Sequence, residues 1–508
     1  MPDPVELPIP FPIGGFVNSA GFAGQPEKTT ASVLNVWPRN YPGGRARGGV
    51  RPGVSSVTAP GGTPHNWCPV EWSGGRGVGV VTSSGTHSTE NGTSWSTLIG
   101  TNPGSSVTGP SCTNYKDTVY QASEGATNGI IPFKVLGGAG GTLTARLDAD
   151  DKPLGVVPTY CGLVATHGNR LAFAGDKNNR HVLYMSRVDD PQDYDYSAVD
   201  QGAAWANSGG GEGRFGEPIT SLISHNRVCL LVGCTDSTYV VRGNPRISGS
   251  IEILSHQVGP LMQSAWCKTG SEDTIMMTRE GVFLMPPGCG QPPINVSDAY
   301  IPDDLVGLDA DNDVVSLAWD GRFRGVHIYV NKASGTDFAY FFVPPERDSV
   351  LPGSFWPMDF TAFTPQLGVN LKAAASPTKS GMILLGATGS RQYNTSSKES
   401  IEAHLMYGPI PMGSPGTEGI LARISAVLSE SSDPVSWEIY SGDSAQEAFA
   451  GIATFTGSEW SRKGFNYWQH PRVRGNSFYL KVFSTGSNRW SIEEIIGEAS
   501  LKNRRRVG

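Results

Sequence analysis

Four short clusters in this sequence gather side chains capable of chemistry, and each implies a different kind. In Ser88-Thr89-Glu90-Asn91-Gly92-Thr93-Ser94-Trp95 an acid, a glycine and a tryptophan stand in the order of an Asp-box turn, with Glu90 where Asp is usual. In such a turn the acid caps backbone donors and the tryptophan packs beneath it, which is a structural duty. Glycoside hydrolysis needs two positioned carboxylates, and no such pair can be picked out. Asp309, Asp311, Asn312 and Asp313, with Asp320 further on, have the odd-position acid spacing of a calcium loop. Val314 occupies the place where that loop needs glycine for its sharp bend, so a solvated turn is the expectation. His65 with Cys68, and Cys229 with Cys234, could offer metal ligands, but neither has a second pair at zinc spacing. Gly211, Gly213 and Gly216 match a dinucleotide-binding spacing, yet a polar stretch precedes them instead of a strand and Pro218 follows where a helix should start. Phosphate-loop, HExxH and GxSxG patterns are absent. The sequence therefore assigns no catalytic residue, no metal ligand and no cofactor, and it reads as a non-enzyme.

The elements that would position such residues are hairpins. At residues 167–196 an Asn169-Arg170 pair leads into the apolar run 171–174; Gly175 and a polar segment reverse the chain, and a second apolar run covers 182–185. The same grammar returns at 225–242, where Asn226-Arg227 opens the run, Gly233 ends it and 238–241 comes back. Further hairpins begin near Arg76, Lys116, Asp273, Asp320 and Gly381, at roughly the spacing of propeller blades of four short strands. Val326, Ile328 and Val330 share one face of a strand. Six or seven blades over residues 54–405 are expected. No amphipathic helical stretch separates the strands, which disfavours a parallel α/β domain.

Glycine (65 of 508 residues) and proline (37) are abundant and charged residues make up only 17%, a mixture that favours short strands joined by turns. The net charge of −7 gives the molecule as a whole no electrostatic reason to grip nucleic acid or an anionic membrane. No apolar run approaches the length that spans a bilayer, and the first fifteen residues lack the positive start of a signal peptide. The seven cysteines (Cys68, Cys112, Cys161, Cys229, Cys234, Cys267 and Cys289) are odd in number and mostly sit in apolar runs. Buried free thiols, in a chain made in a reducing cytoplasm, are the expectation.

Residues 1–53 show no periodic pattern beyond one strand ending at Trp37. They read as an extended arm that packs on something else, because so little there could form a core. Arg45, Arg47 and Arg51 on this glycine-rich arm are well placed to pair with acids of a neighbouring subunit. After a linker near 402–419, residues 420–500 hold alternating strands, with Phe478, Leu480 and Val482 facing one way and Tyr479 and Lys481 the other. Ser444-Ala445-Gln446-Glu447 has capping-box spacing and should start one helical turn through Phe449. This is a small β-sandwich-like platform, followed by a basic tail at 501–508. The fold class expected is mainly β.

Several motifs carry a resemblance to the tail hub or nozzle proteins (tail tubular B-like) of short-tailed bacteriophages, over nearly the whole chain. They are Asn35-Val36 followed by the glycine- and arginine-rich run 44–53; Asn169-Arg170-Leu171 with Ser186-Arg187 and the Asp190-Pro191-Gln192-Asp193-Tyr194 loop; and Thr278-Arg279-Glu280-Gly281-Val282. Ser354-Phe355-Trp356-Pro357, His470-Pro471-Arg472-Val473-Arg474-Gly475 and Trp490-Ser491-Ile492-Glu493 complete the set. The resemblance implies a propeller on a platform, assembled as a hexameric ring in the virion tail after synthesis in the host cytoplasm. The ring would lie below portal and adaptor proteins, carry fibres, spikes or a needle outside, and pass genomic DNA through its lumen without sequence specificity or membrane insertion. Arg472 and Arg474, in a motif that carries the likeness, join Arg45, Arg47 and Arg51 as subunit-interface candidates. A carbohydrate-binding or sialidase-like propeller is the rival reading. It explains the blades and the Asp-box-like turn but not the arginine-glycine arm or the terminal sandwich.

Overall fold

The computed structural model describes residues 5–39, 47–72, 75–90, 92, 94–99, 111–122, 130–134, 138–139, 142–207, 215–288, 290–301, 303, 305–335, 337–345, 353–360, 363–370, 382–386, 389–394, 399–412 and 417–505. Its local unit is the tight hairpin. Gly168 and Asn169 both hold positive φ (+51° and +58°), the backbone that matches the twist of flanking strands. They join Cys161–His167 to Arg170–Asp176, which pairs in turn with Tyr184–Met185. Cys229–Cys234 and Thr238–Arg242 pair in the same way. Each of the hairpins read from the sequence supplies the two middle strands of a four-stranded antiparallel meander.

Among the described residues there are seven such sheets. Their first strands are Pro64–Trp72, Cys112–Tyr115, Cys161–His167, Ile219–Ser224, Trp266–Lys268, Val314–Asp320 and Leu367–Asn370. Successive first strands touch from the first sheet to the fourth and from the fifth to the seventh, and that of the seventh sheet touches that of the first. Between the fourth and fifth, the Gln263 amide exchanges two hydrogen bonds with the Leu222 backbone (2.8 and 3.0 Å). The sheets thus close around an axis with their first strands innermost, a propeller-like arrangement. The seventh takes its outer strand, Gly53–Val57, from the opposite side of the sequence, with Ser390 opposite Val57 and Asn394 opposite Gly53.

Among the described residues outside these seven sheets are two small two-stranded sheets and two packed five-stranded ones. One is built on Thr417–Leu428 and Ile492–Arg505, the other on Ala403–Pro411, Ser477–Ser484 and Ser436–Gly442. Leu421, Ile424, Ala426, Ile439, Leu480, Val482 and Ile495 fill the space between them. Tyr479 points to the opposite face, as expected, and is covered there by the helix Ala445–Ala450. Ser444 caps that helix by accepting from Glu447 N (3.1 Å), while Glu447 accepts from Asp443 N (3.0 Å). Among the described residues no helix is long and apolar enough to cross a membrane.

The N-terminal stretch, expected to pack on something else and not to form a core of its own, packs on the rest of the chain. Val5–Pro8 lies against 496–499 and Val33–Leu34 against 404–405, so both complete sandwich sheets. Trp37, fully buried, stacks on Phe341 of the sixth sheet (ring centroids 4.4 Å apart) and meets Tyr393 of the seventh edge-on. One hydrophobic core therefore runs from the sixth and seventh sheets through residues 33–37 into the sandwich. What composition could not show is that this segment borrows its core from elements some 300 or more residues away in the sequence, such as Phe341 and Leu405.

The cysteine expectation needs correction. Cys68 and Cys112 form a disulfide between the first strands of the first and second sheets, across a separation of 44 residues. Their closeness arises only when the sheets pack side by side. Cys161, Cys229, Cys234 and Cys267 are buried free thiols, and burial pushes Cys234 up to about 12. Cys289 lies outside the described residues.

Candidate functional site

The five arginines proposed for subunit contact have different fates. Arg51 is overturned as an interface residue, since only 1% of it is exposed. Its guanidinium donates to Asn35 Oδ1 (2.8 Å) and to the carbonyls of Pro52 (3.0 Å) and Asp359 (2.6 Å). Glu399 lies 3.7 Å away and the Phe360 ring 4.5 Å below. With donors spent inside the molecule and its charge paired, it has nothing to offer a neighbour. Arg47 pairs with Glu493 of its own chain. Arg45 lies outside the described residues. Arg472 and Arg474 are both exposed.

These last two belong to the outermost run of a sandwich sheet. Gly464–Phe465 and Val473–Gly475 both pair with Thr417–Leu428, joined by a bridge from Gln469 to Ile424. Side chains on this run alternate: Asn466 and Val473 are buried, while Phe465 (47% exposed) and Tyr467 (71%) project outward. Arg462 lies 4.3 Å over the Tyr467 ring and Arg423 lies 4.6 Å over Trp468. Arg423 is also paired with Glu498. Exposed aromatic rings with guanidinium groups beside them are the residue types that concentrate binding energy at protein interfaces.

The motifs that could have done chemistry are turns and packing. Gly92 N donates to Thr89 Oγ1 (2.8 Å) and the Trp95 indole to the Thr58 carbonyl (2.8 Å), so this turn is closed by threonine and backbone while Glu90 is exposed; Asn91 and Thr93 lie outside the described residues. In the acidic loop, Asp309 accepts from Asp311 N (2.9 Å) and Asn312 Nδ2 (2.7 Å), and Asp313 accepts from the backbone N of Asp309 and Ala333 (2.9 Å each). The Asn312 side chain and the turn's N–H groups, with burial opposing them, hold the Asp309 carboxyl below its usual range. Cys68 is consumed by the disulfide, and Cys229 and Cys234 sit in separate hydrophobic clusters, where they cannot share a ligand. Gly211 and Gly213 lie outside the described residues, and a strand, Ile219–Ser224, follows Pro218. Among the described residues no three His, Cys, Asp or Glu side chains gather as a metal site.

Two constellations went unnoticed in the sequence. Asp320, His327 and Tyr329 form a chain, with His327 Nε2 3.5 Å from Asp320 Oδ2 and Nδ1 3.1 Å from the Tyr329 hydroxyl. Burial alone would raise the Asp320 carboxyl, but His327 and nearby backbone N–H groups hold it low. His327 and Tyr329 are wholly buried and Asp320 nearly so, which makes the group part of the core around Trp37.

The second is a funnel on the axis. A cavity of about 420 Å³ is lined by the first strands of the first to sixth sheets, including Trp67, Thr113, Thr166, Trp266 and Trp319. It adjoins a wider mouth of about 1100 Å³ at the ends of the first strands of the second to fifth sheets. Asn114, Thr166, Ser224 and Lys268 line both, so they form the neck. The mouth carries Lys116, Arg227 and Lys268 against one carboxylate, Glu272. Burial lowers the pKa values of His167 and His225, which also line it. A signal was present: the hairpins that begin near Lys116, Gly168, Asn226 and Asp273 all start at this mouth. The two Asn-Arg pairs diverge here. Arg227 is exposed at the mouth, whereas Arg170 is buried and donates to the carbonyls of Ser186 and Ala203 (2.7 Å each), with burial and neighbouring arginines lowering it to about 10.

No family model and no curated protein matches the chain. Among solved structures, a streptogramin B lyase is similar over 67% of this chain and 97% of its own, at 10% identity and a TM-score of 0.41. An extracellular domain of a putative hybrid two-component system from B. thetaiotaomicron is similar over 73% of this chain, at 12% identity and a TM-score of 0.39. This chain covers 42% of that domain, less than half its length. A putative gluconolactonase is similar over 61% of this chain and 94% of its own, at 11% identity and a TM-score of 0.33. Likenesses this remote decide nothing about activity.

Proposed function

We propose that the chain is a structural, non-catalytic subunit of a bacteriophage tail hub or nozzle. In this reading the seven sheets are the blades of one propeller and the sandwich is its platform. Copies close into a hexameric ring that extends the DNA channel below the portal and adaptor and offers its outer face to fibres or spikes. The observation that carries the reading is the outer run of the sandwich, where Phe465, Tyr467, Arg472 and Arg474 stand exposed together. Support also comes from the core shared by sandwich and propeller-like region, which makes the two a stiff unit suited to bearing load. A closed ring requires each copy to present two different complementary surfaces. The arginine and aromatic run is one; an acidic surface on the next copy is its counterpart. In the double variant Arg472→Glu, Arg474→Glu, sedimentation velocity is expected to show rings lost and folded monomers gained. Rings that persist unchanged would remove this surface from the interface.

A further inference from the structure

On the basis of the ring proposed above, we infer that the outer run of the sandwich docks on an acidic lobe of the third sheet in the next copy. The partner of the arginine and aromatic surface is thus a second copy of this chain. From Trp460 to Asn476 the run holds four cations, Arg462, Lys463, Arg472 and Arg474, and no carboxylate. All four are exposed, and among the described residues none of them stands in an ion pair. Phe465 and Tyr467 project beside them, so aromatic surface and positive charge lie along one sheet edge. Such a surface needs a partner that supplies carboxylates and apolar side chains together.

The third sheet carries one. Residues 146–156 and 187–200 are tied into a single lobe: Arg146 N donates to the Gln192 carbonyl, Tyr194 N to that of Leu154 (2.9 Å each), and the Arg146 guanidinium pairs with Asp190 (2.8 Å). The two segments hold eight aspartates against Arg146, Lys152 and Arg187, while Lys116 and Arg246 reach them from outside. Eight carboxylates against five cations leave the lobe acidic, and Asp150 and Asp151 are exposed and in no ion pair among the described residues. Leu147 (52% exposed), Val156 (76%) and Val199 (98%) supply aliphatic surface on the same lobe. Asp190, Asp193 and Asp195 each accept from the backbone N two residues on (2.9–3.0 Å), which fixes the turns before any partner arrives. The placement suits a head-to-tail ring. Residues 187–200 join Tyr184–Met185 to Trp205–Ala206, the two outer strands of their sheet, whereas the sandwich shares its core with the sixth and seventh sheets. In a closed cycle of seven the third sheet lies across the axis from those two, so run and lobe stand on opposite sides of one copy and meet only between copies.

The test is sedimentation velocity of the full chain and of two variants. Asp150→Lys with Asp151→Lys and Val199→Lys makes the lobe basic at three exposed side chains, so its melting temperature should match that of the wild type. Alone it should lose the rings, as should Arg472→Glu with Arg474→Glu. Mixed in equal amounts, the two variants should recover six-membered rings, because alternating copies then meet only opposite charge. With wild-type rings intact, rings formed by the lobe variant alone, or a mixture that stays monomeric, would overturn the pairing and leave the ring itself standing. A wild-type chain that forms no rings would instead overturn the ring proposal, and the pairing with it. If the triple variant melts early, Val199→Lys alone decides: it should raise the protein concentration at which rings form about fivefold, and an unshifted concentration would overturn the docking.

Discussion

Six of the seven axial sheets are each cut from one contiguous piece of chain, whereas the sandwich is assembled from both ends of it. The two regions consequently fail in different ways. A sheet of the axial region closes its own hydrogen-bond ladder locally and depends on neighbours chiefly for side-chain burial. The sandwich needs Val5–Pro8 and Val33–Leu34 to complete its two sheets, so it cannot finish until the first residues of the chain meet the last hundred. Gly53–Val57 imposes the same condition on the seventh sheet. Much of what joins the regions passes through residues 33–57, where Trp37 and Arg51 are the two large side chains that are fully buried.

The sharpest way to break this arrangement is therefore Trp37→Ala, which removes the ring stacked on Phe341 and leaves a cavity where both regions meet. It should cost about 3–5 kcal/mol in chemical denaturation, with the sandwich and the seventh sheet lost together. A loss under about 1 kcal/mol would mean that the two regions hold independently. The next largest effect belongs to the axial region alone. Cys68→Ser with Cys112→Ser opens a closed loop of 44 residues and should cost about 2–4 kcal/mol, without affecting sandwich hydrogen exchange. Sandwich amides that exchange faster in this variant would show the regions coupled more tightly than their shared core implies.

Acid should distinguish the regions more gently. His404, whose Nε2 lies 2.9 Å from the Ser32 hydroxyl where the N-terminal segment joins the sandwich, is lowered to about 4 by burial and then by Lys481. The unfolded chain takes up that proton near 6.5, so the stability it contributes is complete above that value and declines as pH falls toward 4. Thermal melts should drop between pH 7 and 5, and His404→Gln should flatten the drop; a variant with the wild-type slope would assign the acid sensitivity elsewhere. The smallest effect on stability is expected from Arg472→Glu with Arg474→Glu, within about 0.5 kcal/mol, because both side chains are exposed. A larger loss would show that they help hold the sandwich edge.

The same contrast explains what the sequence disclosed. The middle strands of several axial sheets are buried on both faces, as in Thr274–Thr278 and Gly281–Met285, and their continuous apolar runs are legible. Outer strands such as Ser250–Ser255 are half exposed, and first strands vary from the three residues of Trp266–Lys268 to the nine of Pro64–Trp72, so neither gives a regular signal. The funnel is made of those first strands, and its three tryptophans, Trp67, Trp266 and Trp319, are far apart in the sequence, which no local pattern reveals. Arg51 was misread for a related reason. Glycine-rich surroundings suggested an exposed arm, but its partners Asn35, Asp359 and Glu399 come together only when both ends of the chain do.

The most direct test of the central claim is electron microscopy of the purified full-length chain. The account expects closed six-fold rings in which each subunit shows a seven-bladed disc rigidly attached to its platform. Particles that stay monomeric at high protein concentration, or rings whose discs and platforms take variable angles, would contradict it.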